Sequence, residues 1–353
     1  MEDYDMYLVE QLDLQENLEK YQTAGRIASN VLDKIIKMIK IGSNIAELCR
    51  KGDELILEEV NKVYKKINFK KGIAFPTCIS KNNIVGYYNN DNSQVTNNSV
   101  LKIELGVFID NFPALICFTH LVGDNFNNKI KKVYNATIDA SRKVSQLMVT
   151  GKKNMKFVEI LKEVAKENEC NLLISKNLDF NTPGIFTRQI SQNIIDGEDD
   201  DDAEYIHKFI LNQDCPHYDY GLAENEFEKN EVYYVDIAYS TGSGKLTELD
   251  NNLTTIFKRT NHRQGLKLKS SKEVIKHFKS EFPLTKKNIT MKDAQLNIGL
   301  IECVKAQLLK PYPVFREREG EVICRMGFTI IIRDKKSILI TGRNADSELE
   351  KLK

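Results

Sequence analysis

Two β-rich runs, Val100 to Ile109 and Ala114 to Val122, stand either side of Asp110-Asn111. Asp-Asn tolerates positive φ, so the segment reads as two antiparallel strands joined by a tight turn, and the chain is committed to an antiparallel sheet. Helices flank this hairpin. From Tyr21 to Ile41, apolar Ile27, Val31, Ile35 and Ile39 repeat every four residues beside Ala28, Leu32 and Ile36, one face of an amphipathic helix stopped by Gly42. Ser43-Asn44 can cap a second helix whose buried side is Leu48, Leu55, Ile56, Val60 and Val63. Residues 129–149 and 155–167 also read as helical, while Val232 to Tyr239 and Val322 to Ile332 supply further strands.

The 353 residues suffice for one large two-lobed domain with an ample core. Lys plus Arg (51) nearly balance Asp plus Glu (50), so any nucleic-acid contact must come from local clustering. No apolar run is long enough to span a bilayer, and the acidic start Met1-Glu2-Asp3-Tyr4-Asp5 is unlike a secretory signal. The seven cysteines are scattered, odd in number and never spaced Cys-x-x-Cys, which predicts reduced thiols in a cytoplasmic or nuclear protein. Glu198 to Asp202 with Glu204 is a like-charge block expected to be a solvated loop. His217, beside Asp214 and Cys215, is read as a surface residue, since no histidine here has metal-ligand spacing.

Several blocks point to a known family. Lys71-Gly72-Ile73-Ala74-Phe75-Pro76-Thr77, Ser80-Lys81-Asn82-Asn83, Lys102-Ile103-Glu104-Leu105-Gly106, Ile195-Asp196-Gly197-Glu198, Ser240-Thr241-Gly242-Ser243-Gly244-Lys245 and Gly265-Leu266-Lys267-Leu268-Lys269 occur in order over about residues 20 to 342. Together they resemble the type-2 methionine aminopeptidases, and within them the non-catalytic, proliferation-associated and ErbB-receptor-binding branch. The resemblance implies an α+β, pita-bread fold of two pseudo-symmetric lobes, 20–150 and 151–353, after an N-terminal extension at 1–19. It also implies a helical insert in the second lobe, over about 258–310. Members of that branch carry a Lys-rich C-terminal extension, and this chain stops at Ser347-Glu348-Leu349-Glu350-Lys351-Leu352-Lys353.

The resemblance places the five metal-ligand positions of those enzymes at Glu104, Leu115, Ile185, Asp236 and Gly327, with a pocket histidine replaced by Tyr87. Three of the five have no side-chain donor. The carboxylates that would bridge two cations are Leu115 and Gly327 here, so the site is expected to be degenerate, with no catalysis, no metal and no cofactor.

Between Lys258 and Lys287 the sequence has ten basic residues, Lys258, Arg259, Arg263, Lys267, Lys269, Lys272, Lys276, Lys279, Lys286 and Lys287, against Glu273 and Glu281. Ser270-x-x-Glu273 has the pattern of a capping box; Val274, Ile275, Phe278 and Phe282 then form an apolar stripe, with Lys272, Lys276 and Lys279 opposite. Thr290 with Asp293 is expected to cap the next helix, turning Ile298, Ile301 and Leu308 inward. Lys65, Lys66, Lys70 and Lys71 make a second basic cluster. The resemblance implies that the first eight of the ten, Lys258 to Lys279, meet ribosomal RNA where the large (60S) subunit releases nascent chains, the protein being a cytoplasmic and nuclear or nucleolar monomer. Two further readings stay open: an RNA-binding or transcriptional regulator away from ribosomes, and a divergent metallopeptidase.

Overall fold

The computed structural model describes residues 15–89, 92–175, 182–196, 208–212, 225–250, 253–345, 349 and 352. The acidic block at 198–204 and His217 lie outside these residues. The chain opens with helices α1 (Gln15–Met38) and α2 (Ile45–Val60), then strands β1 (Lys71–Lys81), β2 (Val100–Ile109) and β3 (Phe112–Leu121), then helices α3 (Asn128–Leu147) and α4 (Met155–Glu167). Strands β4 (Asn171–Leu172), β5 (Phe186–Ile190), β6 (Phe209–Leu211), β7 (Val232–Ser240), β8 (Thr247–Glu248) and β9 (Ile256–Arg259) follow. Helix α5 (Lys269–Ile275), β10 (Leu284–Thr285), α6 (Asp293–Lys305), β11 (Leu309–Pro311), β12 (Phe315–Arg316), β13 (Ile323–Ile331) and β14 (Ile338–Leu339) complete it.

The main sheet runs β1-β2-β3-β13-β7-β5-β6, with β14 on β13 and β4 on β7, all antiparallel. The hairpin closes as read: Asp110 (φ 51°) and Asn111 (φ 64°) both take the left-handed conformation that a two-residue turn between twisted strands requires. Ile27, Val31 and Ile35 are fully buried where α1 crosses β2 and β3. Helix α2 is capped by Asn44, whose side chain accepts the Glu47 N–H at 2.9 Å. Helices α3 and α4 pack together, and α3 covers β7 and β13. Along β7, Tyr239 faces the helices and gives its hydroxyl to the Leu161 carbonyl of α4; Tyr234 and Asp236, at the other parity, face the opposite side. That opposite side carries the candidate site.

The insert differs from the helical segment read in the sequence. Its two helices are joined by a three-stranded sheet, β10-β9-β11, which turns the chain from the main sheet into the helix pair and back again. Four-residue and shorter strands leave too few alternations to register as a period.

Candidate functional site

Across four adjacent strands the register sets Glu104 opposite Cys117, Cys117 opposite Gly327, and Gly327 opposite Asp236. Directly opposed residues point to the same face, so they form one row across the sheet. Arg325 lies two residues before Gly327 and projects over that row. Its Nη1 and Nη2 donate to Glu104 Oε2 and Oε1 at 2.7 and 2.8 Å, and its Nε and Nη2 donate to Asp236 Oδ1 and Oδ2 at 2.6 and 2.7 Å. The Arg325 and Asp236 side chains are 0% exposed and that of Glu104 is 2% exposed. Asp236 Oδ2 also accepts the Gly184 N–H at 2.8 Å, and Glu104 Oε1 the Tyr234 hydroxyl at 3.3 Å. Burial opposes charge on Arg325, but the Asp236 and Glu104 carboxylates overrule it and hold the guanidinium well above its ordinary pKa.

Neighbouring residues make room for this cation. A Cβ on Gly86 would stand 2.4 Å from Arg325 Nη1, and a Cβ on Gly327 would stand 2.3 Å from the Tyr234 hydroxyl. Tyr87 takes a positive φ of 60° and lays its ring 5.6 Å from the guanidinium carbon, edge-on to Tyr312. Leu115 and Ile185 are completely buried and bring no donor atom from their side chains. Two residues before Glu104 on β2, Lys102 donates to the Asn82 carbonyl at 2.5 Å, and burial pulls its amine down to about 7.

Of the eight basic residues singled out in the insert, six are exposed and two are not. Arg263, Lys267, Lys269, Lys272, Lys276 and Lys279 are exposed, whereas Lys258 is buried and paired with Asp196 at 2.7 Å. Lys258 sits in β9 at a position facing the main domain, where Asp196 also accepts the Tyr312 hydroxyl at 2.6 Å. Burial would raise the Asp196 pKa, but Lys258 dominates and holds it below the carboxylate range. It cannot reach a phosphate. Arg259 is half-buried and donates to the Ile275 carbonyl.

Two local readings in the insert also need correction. Helix α5 is not capped by Ser270: the Glu302 carboxylate of α6 accepts the Lys267 and Leu268 N–H groups at 2.9 and 3.1 Å. Helix α6 starts at Asp293 without a side-chain cap and buries Leu296, Gly299, Leu300 and Cys303. Ile298 and Ile301, expected inside, are 52% and 55% exposed. The close α5–α6 crossing decides this phase, since a Cβ on Gly299 would lie 2.8 Å from Val274.

Lys65, Lys66 and Lys70 are exposed in the loop entering β1, and Lys71 gives its amine to the Val63 carbonyl. The next residue, Gly72, pairs with Phe108, whose ring stacks on Phe282 of the insert at 4.5 Å. The two basic segments therefore border the same end of the hairpin.

Residues 19–189 match the model of metallopeptidase family M24. The chain is 34% identical over 348 residues to ERBB-3 binding protein 1 of Solanum tuberosum, covering 96% of this chain and 84% of that one. It belongs to the ErbB-3-binding-protein branch of family M24. A relative in Schizosaccharomyces pombe, the curved DNA-binding protein, is 30% identical with 92% and 83% of the two chains covered. The solved structure of a thermophilic Arx1 superposes with a TM-score of 0.79 at 25% identity, covering 96% and 94%. The pita-bread architecture is thus that of the M24 family.

The residues of this M24 member do not fit the family's two-cation chemistry. A guanidinium already lies between the Glu104 and Asp236 carboxylates, which the family resemblance sets at metal-ligand positions, and draws on all four of their oxygens. Tyr234 fills the space where Gly327 would need a longer side chain. Sequence reading missed Arg325, although the signal was present: Ile323-Cys324-Arg325-Met326-Gly327-Phe328 sets one charge inside an apolar strand, and a buried arginine demands a partner. It missed Asp196 as well, which lies in the quoted Ile195-Asp196-Gly197-Glu198 block and is the acceptor for Lys258.

Proposed function

We propose that this chain is a non-catalytic member of its branch that docks on the large (60S) ribosomal subunit near the nascent-chain exit and serves subunit maturation, translation control or ribosome storage. The observation that carries this reading is the exposed basic surface of the insert, from Arg263 to Lys279, on a chain whose total charge is only +1. Phosphate groups are its natural complement. Support for a non-catalytic role comes from Arg325, which engages the carboxylates a metallopeptidase would need for its ions. The protein acts as a monomer, in the cytoplasm with a nuclear or nucleolar pool, and its contacts are ribosomal RNA and the proteins ringing the exit.

One relative bears the name curved DNA-binding protein, which favours a second reading as a nucleic-acid-binding regulator away from ribosomes. Co-sedimentation with purified large subunits, against naked ribosomal RNA and duplex DNA of equal phosphate content, separates the two. Preference for intact subunits supports the first reading. Equal affinity for all three polyanions supports the second.

A further inference from the structure

Behind the sheet, on the side away from Arg325, a cavity of about 270 Å³ opens between α3, β3, β13 and residues 339–345. The alternation of β13 explains its floor: Met326 and Phe328 project opposite to Arg325 and line the cavity together with Phe118 and Ile138. Two arginines stand among the lining residues. Arg343 is fixed by its Nε on Asp33 Oδ1 at 2.6 Å, with its guanidinium 4.9 Å from the Phe118 ring centre. Arg142, on α3, is exposed and forms no ion pair among the described residues. No acidic residue lines the cavity among those described.

We propose that this cavity binds a small amphiphilic anion, its carboxylate or sulfonate head between Arg142 and Arg343 and its apolar body on Phe118, Ile138, Met326 and Phe328. The volume is just below the range of about 300–1,000 Å³ typical of drug-sized ligands, so the body is a fused aromatic pair or a short alkyl chain. The head gains charge-assisted hydrogen bonds from guanidinium donors, of which Arg343 is already held in place. An amine of the same shape meets the Arg142 and Arg343 guanidinium groups and, among the described lining residues, no carboxylate, the Asp33 carboxylate being engaged by Arg343. The site has no connection with the proposed ribosomal contacts, which lie on the insert.

The test uses the full chain and 1-anilinonaphthalene-8-sulfonate as a fluorescent probe, well below the unfolding temperature. Saturable binding at one site per chain is expected, weakened at least tenfold in Arg142→Glu, whose exposed position leaves the circular dichroism spectrum unchanged. Decanoate should displace the probe and decylamine should not. Wild-type affinity retained in Arg142→Glu, or displacement by decylamine as effective as by decanoate, overturns the proposal. A second variant, Ile138→Phe, narrows the apolar floor without touching charge; unchanged affinity there equally overturns it.

Discussion

Arg325 holds Glu104 through two parallel hydrogen bonds of 2.7 and 2.8 Å, between residues 221 positions apart and out of reach of solvent. The same guanidinium grips Asp236, so one side chain ties β2 and β7 together across two intervening strands. Removing it strands two carboxylates in the core. Arg325→Met is expected to cost about 3–5 kcal/mol or more, as for breaking a buried ion pair by deleting one partner. Combining it with Glu104→Gln and Asp236→Asn should return part of that loss. Urea unfolding measures both, and a triple variant no more stable than the single one would refute the account.

Reinstalling the enzyme's ligands should fail. With Asp at 115, His at 185 and Glu at 327, Glu104 and Asp236 would still be held by the Arg325 guanidinium, and any side chain at 327 meets the Tyr234 hydroxyl at 2.3 Å. Gly327→Ala alone should therefore lower the melting temperature, because overpacking of this kind costs about 1–3 kcal/mol. The wild-type chain should release no methionine from Met-Ala-Ser peptides with or without added manganese or cobalt; turnover abolished by a chelator would sink the non-catalytic reading.

On the insert, Lys267, Lys269, Lys272 and Lys276 are exposed, although Lys276 shares its charge with Glu273 at 2.8 Å. Changing all four to Glu should abolish binding to large subunits and leave the chain folded, since exposed substitutions usually cost no more than about 0.5 kcal/mol each. In the wild type the logarithm of the binding constant should fall linearly with the logarithm of salt, each phosphate contact contributing a slope of about 0.7–0.9. Lys258→Gln behaves oppositely: it leaves Asp196 buried without its cation, so stability falls while the salt slope stays. Binding retained in the fourfold variant with the wild-type salt slope would shift attention to Lys65 and Lys70, and a flat salt response in the wild type would rule out phosphate contacts altogether.

Asp53 supplies a pH signature. Its Oδ1 accepts the Thr77 N–H at 2.7 Å, yet burial pushes its carboxyl up from 3.8 to about 6, against the opposing pull of Thr77 and Lys287. The folded state then binds its proton more tightly than the unfolded chain. Its contribution to stability is full below pH 3.8 and is lost as pH rises through about 6. Asp53→Asn keeps an acceptor for Thr77 and should gain stability relative to wild type between pH 4 and 7. Denaturation midpoints for both proteins across that interval decide it; a constant or shrinking difference contradicts the assignment.

Helix α6 gives a control on packing. Leu300 is 4% exposed and Ile301 is 55% exposed. Leu300→Ala should cost about 2–5 kcal/mol, and Ile301→Ala no more than about 0.5 kcal/mol. Equal losses in thermal unfolding would restore the helix phase read from the sequence.

Local order was legible because its causes are local. The every-fourth-residue stripe of Ile27, Val31 and Ile35, the Asn44 cap and the Asp110-Asn111 turn are each set by neighbours within a few positions, and the structure reproduces all of them. That Leu115, Ile185 and Gly327 carry no metal-donor atom was likewise legible, since that is a property of the residue type; their place at ligand positions is what the family resemblance implies. Tertiary structure decided where each charge found its partner. Arg325 looked like a stray charge in a strand until the register brought Glu104 and Asp236 to it, and Lys258 looked like a phosphate contact until Asp196 drew it inside. The phase of α6 and the cap of α5 by Glu302 followed from the helix crossing at Gly299. Burying a charge is tolerable only beside its counter-charge, and sequence spacing carries no information about a pairing made across 221 residues of folded chain.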